Sequence, residues 1–351
     1  HFESPDQWLE RLRTDAILAF FGFNEVFRPE GYAAITEEEL RAFVAHTQSR
    51  QYNGHSAPEL VLVSPTAMEP QPEIPRLGTL PEVNRKLEAY TAMMERVAAE
   101  TGVAFVDLFH PSLAWYKAED PQTLDGLQLN DSGYRKLSAF LAKELLGIDT
   151  AEPLSPAVLH AVQEKNWFWQ NDFKIPNGVH VFGRRYNPFG PDNYPYELEK
   201  IRQMTAVRDT AVWRAAQGRP MDLQAADART RSLPEVVSNY EPDAYGHGGR
   251  YRYGQDALES FQLAPGYEIQ LFASEADFPE LANPVQLSFD ARGRLWVATM
   301  PSYPHYKPGD PKPNDKLLIL EDTNQDGRAD SLRVWADSLH LPVGFELSPE
   351  G

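Results

Sequence analysis

Three short apolar runs in the first 150 residues constrain the fold more than any other feature of the chain. They are Asp15–Phe23 (DAILAFFGF), Leu60–Ser64 (LVLVS) and Val103–Leu108 (VAFVDL). Each is too short and too continuously apolar for a surface helix, which is typical of strands buried on both faces of a parallel sheet. Because amphipathic stretches separate the runs, we predict that residues 1–150 form an α/β domain with a parallel sheet wrapped by helices.

The amphipathic stretches carry helix signals. Thr36 and Glu39 have the spacing of a capping box, which predicts a helix start there. Apolar residues at 83, 87, 90, 94 and 97 line one face of a second helix, which is expected to end at Gly102. A third helix is predicted from Asp131 to Leu146. Its inward face is expected to hold Tyr134, Leu137, Leu141 and Leu145.

Composition excludes several classes of function. The chain of 351 residues has a formal net charge of -18 and a pI near 4.9, so it offers no basic stripe for nucleic acid or anionic membranes. It contains no cysteine, which excludes disulfides, thiol nucleophiles and thiolate metal sites in these residues. The longest apolar run, Ile17–Phe23, is far shorter than a membrane span, and no transmembrane segment is predicted.

Residues 151–255 differ from the first region because proline, asparagine, tyrosine and tryptophan become dense. We predict an aromatic-rich connector with helices at Pro156–Asn166 and Tyr196–Gln217. Arg184-Arg185 is interpreted as a surface salt-bridge partner or a carboxylate-binding pair, and His247 lacks metal-ligand spacing. The aromatic residues could line a sugar site or pack the connection across a domain surface. They include Trp167, Phe168, Trp169, Phe173, Tyr186 and Tyr194.

Residues 256–351 change again, to alternating strands joined by tight turns. Short hairpins at this spacing predict an all-β, propeller-like segment. The predicted strands are Tyr267–Ala273, Pro284–Phe289, Leu295–Met300, Lys316–Glu321, Ser331–Trp335 and Val343–Ser348.

One loop in this region has the spacing of a cation site. Oxygen-bearing side chains occur at Asp322, Asn324, Asp326 and Asp330, with a glycine after the third, which suits Ca²⁺. The loop is not an EF-hand, because Arg333 occupies the position where that loop needs its bidentate glutamate. Weak Ca²⁺ binding and a hairpin turn that holds only water are both compatible with this sequence.

The stretch Leu124–Tyr134 (LDGLQLNDSGY) resembles the last conserved block of SGNH (GDSL-type) esterases and lipases, an Asp-x-x-His turn followed by a helix. Asp125 stands at the aspartate position and Gln128 at the histidine position. Gly22-Phe23-Asn24-Glu25 resembles the family block that carries the oxyanion-hole asparagine. The resemblance implies a flavodoxin-like α/β fold and ester hydrolysis, with Asn24 donating to the oxyanion and Asp125 supporting a general base.

Gln128 leaves two alternatives open, because an amide has no usable pKa and cannot take a proton from a serine. Another histidine could substitute, and His110 is one candidate, although a loop histidine beside a proline is usually solvated. Alternatively, the domain is a degenerate SGNH fold that serves as a glycan-binding or scaffold module. Ser64, which precedes a proline, is interpreted as a structural residue.

The family's Gly-Asp-Ser nucleophile block belongs upstream of His1, so the first domain is predicted to be N-terminally truncated and the chain to be a fragment. The expected substrate of the parent protein is an acylated carbohydrate.

The amino-acid sequence from Gly266 to Met300 is similar to the start of a proposed membrane-bound dehydrogenase domain in planctomycete and verrucomicrobial multidomain proteins. That resemblance implies a truncated β-propeller, related in shape to soluble quinoprotein sugar dehydrogenases. About 95 residues would supply its first blades only, so any PQQ or haem would lie outside this chain. It also implies a periplasmic or secreted location.

Overall fold

The computed structural model describes residues 3–28, 33–70, 79–149, 155–174, 189–235, 252, 254–304 and 306–348. The chain divides into two compact units, residues 1–153 and 154–351, which are treated separately. Arg184-Arg185, Tyr186 and His247 lie outside the described residues. A separate connector over residues 151–255 stays a prediction.

The first unit alternates helices with three parallel strands. The sheet has the order β1-β2-β3, with Ile17 paired to Leu60 and Leu62 paired to Phe105. All three predicted strands are therefore confirmed, and the unit is the expected α/β domain with a parallel sheet. The expected burial on both faces is wrong for β1, because Leu18 and Phe20 of this edge strand are exposed. Its elements are α1 Pro5–Leu12, β1 Ala16–Phe20, α2 Ala33–Gln48, β2 Glu59–Val63, α3 Leu80–Thr101, β3 Ala104–Val106, α4 Phe109–Trp115 and α5 Asp131–Leu146.

Helix α3 supplies much of the first core. Thr79 and Glu82 form a capping box at its start, and Gly102 ends it in the left-handed conformation, with φ of 73°. The predicted apolar face is confirmed, since Leu87 and Met94 are fully buried among residues of β1, β2 and α2. The predicted helix to Leu146 is confirmed as well and ends at Gly147.

Two details of the predicted helices are wrong. Helix α2 begins at Ala33, so Thr36 lies inside it rather than at its start. The side chains of Thr36 and Glu39 accept hydrogen bonds from Nη1 of Arg28, at 3.2 and 2.5 Å. Tyr134 is exposed rather than inward, because its neighbour Gly133 is the residue of that turn that faces the rest of the unit.

Residues 155–174 and 189–216 of the second unit form two helices, α6 Pro156–Phe173 and α7 Phe189–Ala216, which pack against each other. Phe168 of α6 is buried with Ile201 and Met204 of α7 and with Tyr306 from a later loop. Trp167 meets the same tyrosine edge-on, with ring centroids 4.8 Å apart. Trp167 and Phe168 therefore serve packing. Short helices follow at α8 Leu223–Asp227 and α9 Gln255–Leu258.

The described part of residues 256–351 contains a four-stranded antiparallel sheet of order β4-β5-β6-β7. Its strands are β4 Pro284–Phe289, β5 Leu295–Thr299, β6 Asp315–Glu321 and β7 Ser331–Leu339. These four strand predictions are confirmed to within a few residues at their ends. The sheet does not close into a propeller within the described residues, so the sequence and the structure agree on antiparallel β-structure only.

The predicted strands Tyr267–Ala273 and Val343–Ser348 are wrong. Both segments are held by isolated hydrogen bonds instead of a ladder. Oε1 of Gln286 accepts a hydrogen bond from the backbone N–H of Phe345 at 2.8 Å. Nε2 of Gln286 donates to the carbonyl of Phe345, also at 2.8 Å. A side chain thus takes the backbone partners that a further strand would need. None of the helices in the described ranges is long and apolar enough to cross a membrane.

Candidate functional site

Asn24 follows the carboxyl end of β1 on a tightly constrained backbone. Gly22 has φ of 117°, and a Cβ at this position would lie 2.5 Å from the ring of Tyr90, so only glycine fits. The N–H of Gly22 donates to the carboxylate of Glu25 at 3.1 Å. Asn24 directly precedes a short 3₁₀ turn over Glu25–Phe27, and its side chain is exposed and makes no capping hydrogen bond to that turn. Its amide is therefore accessible on a fixed loop.

The turn with Asp125 and Gln128 lies at the tip of a small hairpin-like loop before α5. Thr123 and Leu129 form an antiparallel bridge at its base. Oδ1 of Asp125 accepts the backbone N–H of Leu127 at 3.0 Å and that of Gln128 at 2.7 Å. This Asx turn shapes the loop locally. Asp125 and Gln128 are both exposed.

The chemistry available at this turn is limited by Gln128. Two hydrogen bonds fix its backbone. Its N–H donates to Asp125, and its carbonyl accepts the N–H of Leu124 at 2.7 Å. The side chain is an exposed amide, which can form hydrogen bonds but cannot act as a base. The turn thus presents one carboxylate and one amide to solvent.

His110 lies at the start of α4, after β3, between two carboxylates. Its Nδ1 is 2.6 Å from Asp107, and its Nε2 is 3.7 Å from Glu88 of α3. The hydrogen bond to Asp107 and the charges of both carboxylates raise the pKa of His110 above its ordinary value. A raised pKa lowers the fraction of neutral imidazole at a given pH, so less of it is free to take a proton from a nucleophile.

His110 and the Asn24 loop contact different faces of α3. Tyr90 of α3 packs on Gly22, whereas Glu88, two residues earlier, faces His110. Residues two apart on a helix point about 200° apart around its axis. The geometry therefore gives no support to His110 as a replacement base beside Asn24.

Ser64 is structural, as its proline neighbour indicated. Its hydroxyl is buried and accepts the N–H groups of Leu108 at 2.8 Å and Phe109 at 3.2 Å. These bonds join the end of β2 to the start of α4. A serine used in this way is not presented to a substrate.

Sequence reasoning missed Glu69, which is only 4% exposed. Its carboxylate accepts hydrogen bonds from Gln122 and Thr123, which precede the Asp125 turn. A charged residue between Met68 and Pro70 in an otherwise apolar stretch was the one available signal. The partners lie more than 50 positions further along the chain, so the spacing carries no local pattern.

The Asp322–Asp330 loop is organised by hydrogen bonds. The carboxylate of Asp322 accepts N–H of Gly327 at 2.8 Å and of Asp326 at 3.2 Å. Asp330 accepts N–H of Thr323 at 3.2 Å and its hydroxyl at 2.8 Å, which lowers the pKa of Asp330. Across the described ranges, no three histidine, aspartate or glutamate side chains are grouped to hold a metal. Calcium binding here stays a prediction.

An open cavity of about 460 Å³ lies beside α6 and α7 in the second unit. Arg208 on its wall pairs with both carboxylate oxygens of Asp227 and stacks on Phe168 at 3.8 Å. Lys312 pairs with Glu164. Because these charged groups neutralise each other, their arrangement is explained by packing of the second unit.

Comparison with known proteins separates the two ends of the chain. Residues 2–136 match a family model described as the GDSL-like Lipase/Acylhydrolase family, and residues 254–351 match a domain of unknown function, DUF7133. No curated protein matches the chain.

Similar solved structures include a catalytic mutant of an acetylxylan esterase from Geobacillus stearothermophilus, with 19% identity and a TM-score of 0.29. That match covers 38% of this chain and 60% of the esterase. A mutant of an acetyl-xylooligosaccharide esterase from the same organism shows 18% identity and a TM-score of 0.30, over 41% of this chain and 64% of that one. The chain thus spans less than two thirds of either structure. Its N-terminal part is similar in sequence to GDSL-like lipases and acylhydrolases.

Proposed function

We propose that the first unit takes part in the hydrolysis of acyl esters, with an acylated carbohydrate as the substrate class. In this proposal Asn24 donates an N–H to the developing oxyanion and Asp125 supports the general base. The observation that carries it is the GDSL-like match over residues 2–136, combined with exposed Asn24 and Asp125 side chains on hydrogen-bonded turns.

The reaction needs a nucleophile and a base in addition to these two groups. The serine implied by the resemblance is not assigned to any residue of this chain. Gln128 cannot accept a proton, so a base must come from elsewhere in the protein or be absent. An absent base corresponds to the alternative function, in which the fold binds glycans or serves as a scaffold without turnover.

Hydrolysis of p-nitrophenyl acetate and acetylated xylan separates these functions. The assay uses the protein in the native form and as Asp125→Ala and Gln128→His. Activity in the native form that is lost in Asp125→Ala supports hydrolysis with a substitute base. Activity only in Gln128→His indicates an intact pocket that has lost its base. Glu119→Ala is the matched control, because Glu119 is an exposed acid in the segment that precedes the turn.

We further propose that the four-stranded sheet of the second unit is one blade of a β-propeller. Its strands follow one another in space in chain order and are antiparallel, as in a blade. The dehydrogenase activity, a PQQ or haem outside the chain, and a periplasmic or secreted location stay predictions. Electron microscopy of the protein tests the blade. A closed ring of such sheets supports it, and an isolated sheet refutes it.

A further inference from the structure

Glu69 is a buried carboxylate that binds a single segment of the chain. It accepts N–H of Gln122 at 2.9 and 3.1 Å, N–H of Thr123 at 2.8 Å, and the hydroxyl of Thr123. Its own backbone N–H donates to the carbonyl of Gly126 at 2.9 Å. The Thr123 hydroxyl in turn accepts N–H of Gly126 at 2.9 Å. Glu69 therefore reaches the backbone immediately before and within the Asp125 turn.

Within the described part of the chain this buried acid has no cationic partner, which is unusual for a carboxylate. Among the described residues, the ion pairs of the first unit all involve other acids. A buried carboxylate is costly unless hydrogen bonds replace its water, and donors to a charged acceptor form stronger bonds than neutral pairs. An apolar residue would pack here without that cost. The arrangement of donors thus indicates a role in holding the loop.

A second anchor holds the same loop from the side of α5. Asn130 donates its backbone N–H to Gln122 at 3.0 Å and its side-chain amide to Pro121 at 2.7 Å. Its Oδ1 accepts N–H of Gly133 and so caps α5. The loop from Pro121 to Asn130 is therefore fixed at its base on two sides, and the exposed tip with Asp125 projects from it.

We propose that Glu69 is a positioning residue, which orders the loop so that Asp125 lies where the proposed reaction needs it. The inference rests on the proposed hydrolytic function. The conformation of the loop does not depend on which side chain occupies position 128. Because Asp125 and Leu124 bind the backbone of residue 128, either glutamine or histidine can occupy that position without remodelling the loop.

Two substitutions remove the anchor in different ways. Glu69→Gln is isosteric but replaces one acceptor oxygen by an NH₂ group that faces the N–H donors. Thr123→Val removes only the hydroxyl, while Thr123→Ser retains it and should restore the native behaviour. Glu119→Gln is the control for loss of one negative charge, because Glu119 is exposed in the same part of the chain.

The first readout is amide hydrogen exchange, which does not depend on activity. We expect amide exchange of residues 122–128 to accelerate on the order of tenfold in Glu69→Gln and Thr123→Val, because opening of this loop becomes easier. Exchange in β2 and α3 should stay unchanged, and Thr123→Ser and Glu119→Gln should match the native protein. Unchanged exchange of the loop in both disrupting variants overturns the inference.

The second readout is ester hydrolysis by the most active of the native and Gln128→His proteins. A displaced Asp125 should lower kcat on the order of 10- to 100-fold with KM nearly unchanged, because misplacement affects the reacting geometry more than binding. Faster loop exchange with unchanged kcat overturns the positioning role. If neither protein hydrolyses esters, the proposed function fails, and the exchange experiment alone decides whether Glu69 orders the loop.

Discussion

Substitution of Gly133 by alanine should destabilise the first unit, although a glycine-to-alanine change inside a helix normally stabilises. Gly133 lies in the first turn of α5, in the motif that resembles the SGNH block. An added Cβ would lie 2.2 Å from the carbonyl oxygen of Gln122 and 2.9 Å from Cδ2 of Leu129. The first of these atoms is backbone and cannot rotate away.

The expected magnitude follows from three opposing effects. Helix propensity favours alanine by about 1 kcal/mol. Overpacking against a fixed atom costs up to about 3 kcal/mol. Displacement of the Gln122 carbonyl also strains its hydrogen bond with N–H of Asn130, worth about 1 kcal/mol. The free energy of unfolding of the first unit should therefore fall by roughly 1 to 3 kcal/mol.

The assay is urea denaturation followed by hydrogen exchange, with peptides from β2 reporting the first unit separately from the second. Ser138→Ala is the control, because Ser138 is an exposed residue of the same helix whose hydroxyl bonds only the nearby carbonyl of Arg135. It should change stability by about 0.5 kcal/mol or less. An increase in stability of about 1 kcal/mol in Gly133→Ala refutes the close approach of α5 to the loop.

Three further predictions concern other residues of the two units. Gly22→Ala should destabilise the first unit by about 1 to 3 kcal/mol, measured by the same exchange experiment, because a Cβ there is both strained and blocked by an aromatic ring. Asp107→Asn should lower the pKa of His110 in an NMR titration. In the native protein this raised pKa stabilises the fold below pH 6.5, and that contribution should disappear as the pH rises through the folded pKa. Asp227→Ala should cost the second unit about 3 to 5 kcal/mol in urea unfolding, because it leaves the buried guanidinium of Arg208 without its partner.

Local signals in the sequence predicted the framework of the first unit well. Gly102 and Gly147 end α3 and α5 in the left-handed conformation, which explains why glycine marked both helix ends. The continuous apolar runs became parallel strands, and side chains from helices pack against β2 and β3 in two separate clusters, whereas Leu18 and Phe20 of β1 are exposed. The Thr36 and Glu39 pattern failed because the helix begins earlier, at Ala33, and the two side chains accept hydrogen bonds from Arg28 instead.

The candidate site was predictable only in part, because some of its contacts join residues that are distant in sequence. Asp125 and Gln128 share an Asx turn, whose partners are neighbours in sequence. The partners of Glu69 are distant in sequence, and the position of Glu88 beside His110 depends on how α3 is rotated. Tertiary contacts of this kind leave no fixed spacing to recognise.

The proposed function assigns roles in ester hydrolysis to Asn24 and Asp125. The most direct test is kcat for acetate release from acetylated xylan, compared between the native protein and Asn24→Ala. Loss of an oxyanion donor should lower kcat about 10²- to 10³-fold and leave KM nearly unchanged. Native activity that survives Asn24→Ala contradicts the assignment of this site.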